Sequence, residues 1–268
     1  MKYLILIISL FVLSCTKEQE PSPSIEGGDG KLNVLISLNS TQLEETTDMS
    51  GKTASIKKIE RLCKCTMLKA LIYRDGNFIA EKDFEAGYVG TIFSGLTSNR
   101  TYRIIFYSVG DATSQIPTVT NRSSLSNATV ELQSNSNLLH TAQNIYLNPG
   151  SNTISISLKH LYSESKFIVN ASNLNNISNV KFTVLDNYKT SKVKISDGSF
   201  TGQTSNTYEI PVENVNGKVY TFKSFHPNIA TDNVRIRVSA TVSNQTKNFN
   251  STYPLKKGYK YVKEIKFE

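Results

Sequence analysis

The sequence predicts an all-β protein, two β-sandwiches in tandem behind a leader and a linker. Three observations carry that prediction. Short segments throughout the chain alternate apolar with polar residues, the two-residue period of a strand with one buried face. Tyr-Phe richness without Trp (13 Tyr, 12 Phe, no Trp) accompanies abundant Ser, Thr and Asn, a composition suited to strands and polar turns. Finally, Asp-Gly and Asn-Gly pairs stand between the alternating runs, where tight hairpins need positive backbone angles.

The first element is not part of the fold. Met1-Lys2 is a short positive start, Tyr3 to Leu13 is apolar, and Val12-Leu13-Ser14-Cys15 sets a small residue before a cysteine, which resembles a lipobox. The apolar run is shorter than the roughly 20 residues of a spanning helix and ends in small and polar residues, as export signals do. Residues 1–14 are therefore expected to be a lipoprotein signal peptide, with Cys15 lipidated and the chain anchored to a membrane from outside. Residues 15–30, rich in charge, Pro, Ser and Gly, are expected to be a flexible tether. Gly27, Gly28 and Gly30 lack the spacing of a phosphate loop and fit a linker better. Lys17, Glu18 and Glu20 look like signals that carry some lipoproteins to the cell surface.

The folded part divides, on this reading, into residues 31–145 and 146–268. In the first unit Leu32, Val34, Ile36 and Leu38 share one strand face, followed by a polar stretch from Asn39 to Lys58 without comparable alternation. Leu68, Ala70 and Ile72 lead through Arg74-Asp75-Gly76-Asn77, a hairpin turn, to Phe78 and Ile79. Tyr102 to Ser108 is apolar on both faces, which predicts a central strand. Asp111 to Asn137 is polar and irregular, the expected boundary or crossover. In the second unit Ile154, Ile156 and Leu158 follow a turn at Asn148 to Asn152, and further strands run through Phe167, Val180 to Val184, Val193 and Val219 to Phe222. Asp197-Gly198 and Asn216-Gly217 mark hairpins, and Val234 to Val242 is the longest strict alternation. Tyr259, Tyr261, Ile265 and Phe267 line one side of the last strand.

Several of these segments together resemble a known family. Leu71-Ile72-Tyr73-Arg74-Asp75-Gly76, Ser94-Gly95-Leu96 with Arg100 to Arg103 and Phe106-Tyr107-Ser108, Ser157 to Leu161 followed by Ser165-Lys166, and Leu255 to Tyr261 are similar to the fimbrillin family of Gram-negative surface lipoproteins. The resemblance implies two transthyretin-like β-sandwich domains and a role as stalk, anchor or tip of a type V pilus at the outer membrane, with other fimbrial subunits as partners. It also implies cleavage of stalk subunits after a basic residue by a trypsin-like protease, then assembly by strand exchange. Arg61 is the candidate cleavage position, with Lys57 and Lys58 as fallbacks. Leu32, Val34, Ile36 and Leu38 would form the displaced strand, and Tyr259, Tyr261, Ile265 and Phe267 the donor, with nothing after them to obstruct exchange. An uncleaved chain would instead keep its first strand as an anchor.

Little in the sequence speaks for chemistry. His140, His160 and His226 lie far apart without metal or protease spacing, Asp75, Asp197 and Asp232 suit turns, and no nucleophile elbow is present, so the expectation is a protein without cofactor, metal or catalytic site. His160, at a strand end, reads as a hydrogen-bonded structural histidine. The net charge of +8 and pI near 9.2 come from Lys and Arg scattered along strands, which fits a solvated surface and no nucleic-acid partner. Cys63 and Cys65, two residues apart, read either as an oxidised pair in an oxidising compartment or as reduced thiols; two thiols alone do not complete a zinc site. The alternative to an assembly protein is a surface module that captures glycan or host protein, for which Tyr208, Tyr220 and Tyr253 are candidate aromatics; strand alternation accounts for them equally well.

Overall fold

The computed structural model describes residues 26–37, 39–47, 53–62, 65–110, 115–133, 136–227, 233–254 and 258–266. Residues 1–14, expected to form the signal peptide, and Cys15, Leu38, Cys63 and Phe267 lie outside them. Every regular element among the described residues is a strand. In chain order these are β1 Gly30–Ser37, β2 Asn39–Thr47, β3 Thr53–Leu62, β4 Met67–Arg74, β5 Asn77–Glu85, β6 Gly90–Leu96 and β7 Arg100–Val109. Next come β8 Val119–Thr120, β9 Thr129–Gln133, β10 Leu138–Leu147, β11 Ser151–Ser157, β12 Lys159–His160, β13 Tyr162–Asn170 and β14 Ile177–Lys194. The last are β15 Phe200–Ile210, β16 Val212–Asn216, β17 Val219–Pro227, β18 Asn233–Val242, β19 Gln245–Pro254 and β20 Tyr259–Lys266.

The expected all-β class is what forms, and the turn chemistry is where the sequence places it. Asp75 and Gly76 both have positive φ, 51° and 78°, and close the β4–β5 hairpin; Gly198 and Gly217 do the same at their turns. The described residues form four sheets, with strand orders β11-β1-β6, β12-β10-β7-β4-β5, β16-β17-β13-β20-β2-β3 and β19-β18-β14-β9-β8, the last carrying β15 on β14.

The second sheet is covered on both faces. Leu68, Ala70, Ile72, Tyr102, Ile104 and Phe106 pack with Leu32, Val34, Phe93 and Ile156 of the first sheet. The alternate residues of the same strands, Leu71, Tyr73, Ile105 and Tyr107, pack with Val119, Val130, Leu132, Val193 and Ile195. Period-two alternation explains this, since successive side chains of β4 and β7 point to opposite faces. The central position expected for Tyr102 to Ser108 is found, and the OH of Tyr107, which donates to the carbonyl of Pro117 at 2.7 Å, ties its outer face to the covering segment. A third core lies between the two remaining sheets, where Phe167, Phe182, Phe222, Ile236, Val238, Tyr261 and Ile265 meet.

Strand pairing crosses the expected division at residue 145 in both directions. β11 pairs in parallel with β1, Val34 opposite Ile154, and so joins the first sheet. The β2–β3 hairpin, in contrast, adds to the last strand, Glu45 opposite Tyr261. The polar run Asn39 to Lys58 is thus largely strand: neighbouring ladders supply its backbone bonds, a source of order that hydrophobic alternation does not register. Asp111 to Asn137 contains β8 and β9 and leaves and rejoins one sheet between the antiparallel neighbours β7 and β10. Expected as a boundary or crossover between domains, it covers a sheet face with Val119, Val130 and Leu132. Val180 to Val184 and Val193 belong to one 18-residue strand, β14; its first part pairs with β18 and its end with β9, so it runs from one core into another.

Candidate functional site

The seat of β1 is the most elaborated feature of the fold. β1 lies between β11, parallel, and β6, antiparallel. Leu32 and Val34 are buried in the core, and Leu35 on the opposite face is 47 % exposed. Of the remaining candidates for the displaced strand, Ile36 is placed by its backbone pairing with Ile156, and Leu38 is outside the described residues.

Residues 26–30, expected to belong to the tether, are docked onto the sandwich. The Glu26 carboxylate accepts the OH of Tyr102 at 2.6 Å and the backbone N–H of Thr97 at 2.9 Å, and pairs with Arg74 at 2.6 Å. Burial works against the charge, yet the bonds from Tyr102 and Thr97 and the Arg74 guanidinium hold this carboxyl below its ordinary value. Burial, together with the Glu26 bond, pushes the Tyr102 phenol up. The N–H groups of Glu26 and Gly28 both donate to the carbonyl of Gly95, at 2.9 and 3.0 Å.

The glycines expected to serve a linker have a different use. Gly27 takes φ +69°, a conformation L residues rarely adopt. A Cβ on Gly28 would collide with the carbonyl oxygen of Leu96. One on Gly30 would meet Leu147 Cδ2 and lie 2.9 Å from that same oxygen. Close approach of backbone to backbone, which only glycine permits, seats this segment.

The other candidate residues fall elsewhere. Arg61 is near the end of β3, opposite Ser40, on the edge strand of its sheet. Cys65 is buried and disulfide-bonded; with Cys63 outside the described residues, the pairing of these two stays an expectation. Tyr259, Tyr261 and Ile265 belong to β20, which lies between β13 and β2. Tyr261 and Ile265 are buried. Lys263, on the same face, is 1 % exposed with its ammonium 4.7 Å from the centre of the Tyr253 ring and 5.2 Å from that of Tyr261, a cation–π arrangement. Tyr208, Tyr220 and Tyr253 all pack into or against this core, so alternation, not a ligand platform, accounts for them.

A cleft of about 620 Å³ lies where β10 and β12 meet the turn after β14. Arg103, His140, Lys159, His160 and Asp197 contribute its polar groups, and Leu158 and Leu161 its apolar ones. Arg103 Nη2 donates to the Ser196 carbonyl at 2.7 Å and Nη1 to Asn144 Oδ1 at 3.3 Å. His140, buried, donates from Nε2 to the Ile195 carbonyl at 2.8 Å. Nδ1 of His160 is 2.6 Å from the Asn137 side-chain amide nitrogen, the structural role expected for that histidine. Gly198 has φ +73°, and a Cβ there would come within 3.0 Å of Leu161 and 3.2 Å of His140. Among the described residues no phenyl, phenol or indole ring lines the cleft. Among the described residues no group of His, Cys, Asp and Glu is placed to hold a metal ion.

Comparison with solved structures places this architecture. The fold is similar to that of several solved Bacteroides proteins. A candidate cell adhesion protein from Bacteroides fragilis superposes with a TM-score of 0.56 at 9 % identity, over 90 % of this chain and 94 % of that one. A candidate adhesin from Bacteroides thetaiotaomicron gives 0.53 at 11 % identity, over 86 % and 81 %. A candidate polysaccharide binding protein (DUF1812) from the same species gives 0.52 at 10 % identity, over 82 % and 79 %. No family model matches the sequence, and no curated protein does. At these identities the likeness is one of fold.

Sequence reasoning missed Glu26, Tyr102 and Arg74 as a group. Residues 26 and 102 are far apart in the chain, and only the turn-rich Glu-Gly-Gly-Asp-Gly segment hinted that the linker had a shape. The pairing of Arg103 and His140 with carbonyls of one turn carried no signal, because a backbone carbonyl is present at every position.

Proposed function

We propose that this protein is a structural subunit or membrane-proximal anchor of surface fimbriae, lipid-anchored through Cys15 at the outer membrane and joined to its neighbours by strand exchange. The observation that supports this reading best is β1 itself, a strand at the start of the folded region that fills a groove between β11 and β6. Its withdrawal would expose apolar core and two unpaired strand edges, the requirements for β-augmentation by another chain. The likeness in fold to candidate adhesins and cell adhesion proteins agrees with it, as does the fimbrillin resemblance of the sequence.

Arg61 gives the scheme a physical logic. A cut after it would release β1, β2 and β3 as one piece, vacating the groove in one sheet and stripping from β20 its neighbour β2 in another. β20 would then become an edge strand. In the uncut chain β20 is central, and donation would withdraw Tyr261 and Ile265 from the core. An uncut chain thus suits an anchor and a cut one a stalk subunit.

Electron microscopy of cells with and without the gene, with N-terminal sequencing of the protein recovered from filaments, tests this reading. Filaments that depend on the gene are expected, with a form beginning at Leu62 for a stalk role or an intact chain from Cys15 for an anchor. Unchanged filaments in the deletion, with the protein absent from them, would overturn the assembly role. The second reading, a surface module that binds glycan or host protein, is favoured by the polar cleft at Arg103, Lys159, His160 and Asp197 and by the likeness in fold to a candidate polysaccharide binding protein.

A further inference from the structure

We propose that the β1 seat reads a chemical key, a carboxylate followed at fixed spacing by glycines, and so accepts a strand from a different subunit bearing that key while refusing the C-terminal strand of a second copy. The inference rests on the strand-exchange reading above and specifies its partner. Two independent features define the lock. Three donors, the Tyr102 OH, the Thr97 N–H and the Arg74 guanidinium, converge on one carboxylate. Beyond them the floor of the seat, formed by the Leu96 carbonyl and the Leu147 side chain, leaves no room for a Cβ at positions 28 and 30.

The occupant that satisfies both is Glu26-Gly27-Gly28-Asp29-Gly30-Lys31-Leu32-Asn33-Val34. An acid stands six residues before the first buried apolar side chain, and glycines stand four and two residues before it. A neutral residue in place of Glu26 would leave the Arg74 guanidinium without its counter-charge and, where it lacks a side-chain oxygen, the Thr97 N–H without its acceptor, and buried polar groups without partners are costly. A side chain at either glycine position would collide with the floor.

β20 fails on each count. Aligning Tyr259, Tyr261 or Lys263 with Leu32 puts Tyr253, Leu255 or Lys257 at the place of the acid. For Tyr259 the glycine positions become Leu255 and Lys257, and in every alignment that uses its whole apolar face Lys263 must enter a groove that holds Leu32 and Val34 in apolar packing. In its own place the Lys263 ammonium lies over the Tyr253 and Tyr261 rings. The seat and the last strand are therefore complementary to different partners, and a homopolymer made by inserting β20 into the β1 seat is disfavoured.

The full-length Glu26→Ala variant, with its own key removed, tests this with fluorescent peptides. Peptide 24–37 is expected to label the variant at least tenfold more than the same peptide carrying Glu26→Gln or Gly28→Ala, and at least tenfold more than peptide 255–268. Should Glu26→Ala fail to fold, the isosteric Glu26→Gln variant replaces it. Equal labelling by the unsubstituted peptide and its Glu26→Gln form, or by peptide 255–268, would overturn the key and leave strand exchange standing. Labelling by none of the peptides would overturn exchange into this seat, and the key with it, and leave the anchor role, in which the chain keeps its first strand.

Discussion

The guanidinium of Arg103 donates to the carbonyl of Ser196 at 2.7 Å, across 93 residues of sequence. With His140 on the carbonyl of Ile195, it fastens the end of the long strand β14 to the central sheet. The β14 side chain Val193 and, just beyond the strand, Ile195 complete the attachment from the core side. Stability of the two halves of the chain is therefore coupled, by packing along β14 and by charged or ring N–H groups on one turn. Arg103→Ala should cost about 1.5–3 kcal/mol, the worth of a hydrogen bond from a charged donor. Hydrogen exchange at Gly198 and Ser199 should accelerate; unchanged protection there would show that the guanidinium does not hold the turn.

Ile236 is fully buried among Phe182, Val184 and Val238. Ile236→Asp places an unpaired carboxylate in that core and should destabilise by more than about 4 kcal/mol, enough to prevent folding around β18. Circular dichroism and thermal melting provide the check, and a wild-type-like melt would put this strand at the surface.

His226 is fully buried, and burial lowers its pKa to about 3 from 6.5. The native imidazole is neutral while the unfolded one protonates below 6.5, so the unfolded state binds more protons as pH falls. Stability is then full above pH 6.5 and declines by about 1.4 kcal/mol per pH unit from there toward pH 3. Glu26 acts with the same sign at lower pH, since its depressed pKa contributes stability above 4.5 that fades as the carboxyl protonates. Urea unfolding at pH 7.5 and pH 5 should differ by about 2 kcal/mol in the wild type and by clearly less in His226→Asn. An equal difference in both would assign the pH dependence to other groups.

The lipid anchor proposed at Cys15 predicts that Cys15→Ser abolishes lipid labelling and moves the protein out of the membrane fraction. Retention of that variant on membranes after a salt wash would be incompatible with lipidation at this cysteine.

Alternation and turn chemistry are local, and they determined the all-β class, the hairpin at Asp75-Gly76, the burial of Leu32 and Val34, and the two-sided packing of Tyr102 to Ser108. Each depends on side chains one or two residues apart, whose period the backbone geometry dictates. Which strands become neighbours was decided only in the tertiary structure. Polar β2 is held by a ladder to β20 and β3 by one to β2, β11 crosses to β1, and β8 and β9 cover a sheet face from within a stretch that reads as a boundary or crossover between domains. Backbone hydrogen bonding is common to every residue, so its choice of partner leaves little trace in composition or period. The lock at Glu26 is the clearest case: an acid and three glycines that suit a flexible tether become specific only against the Tyr102 hydroxyl, the Arg74 guanidinium and the Leu96 carbonyl.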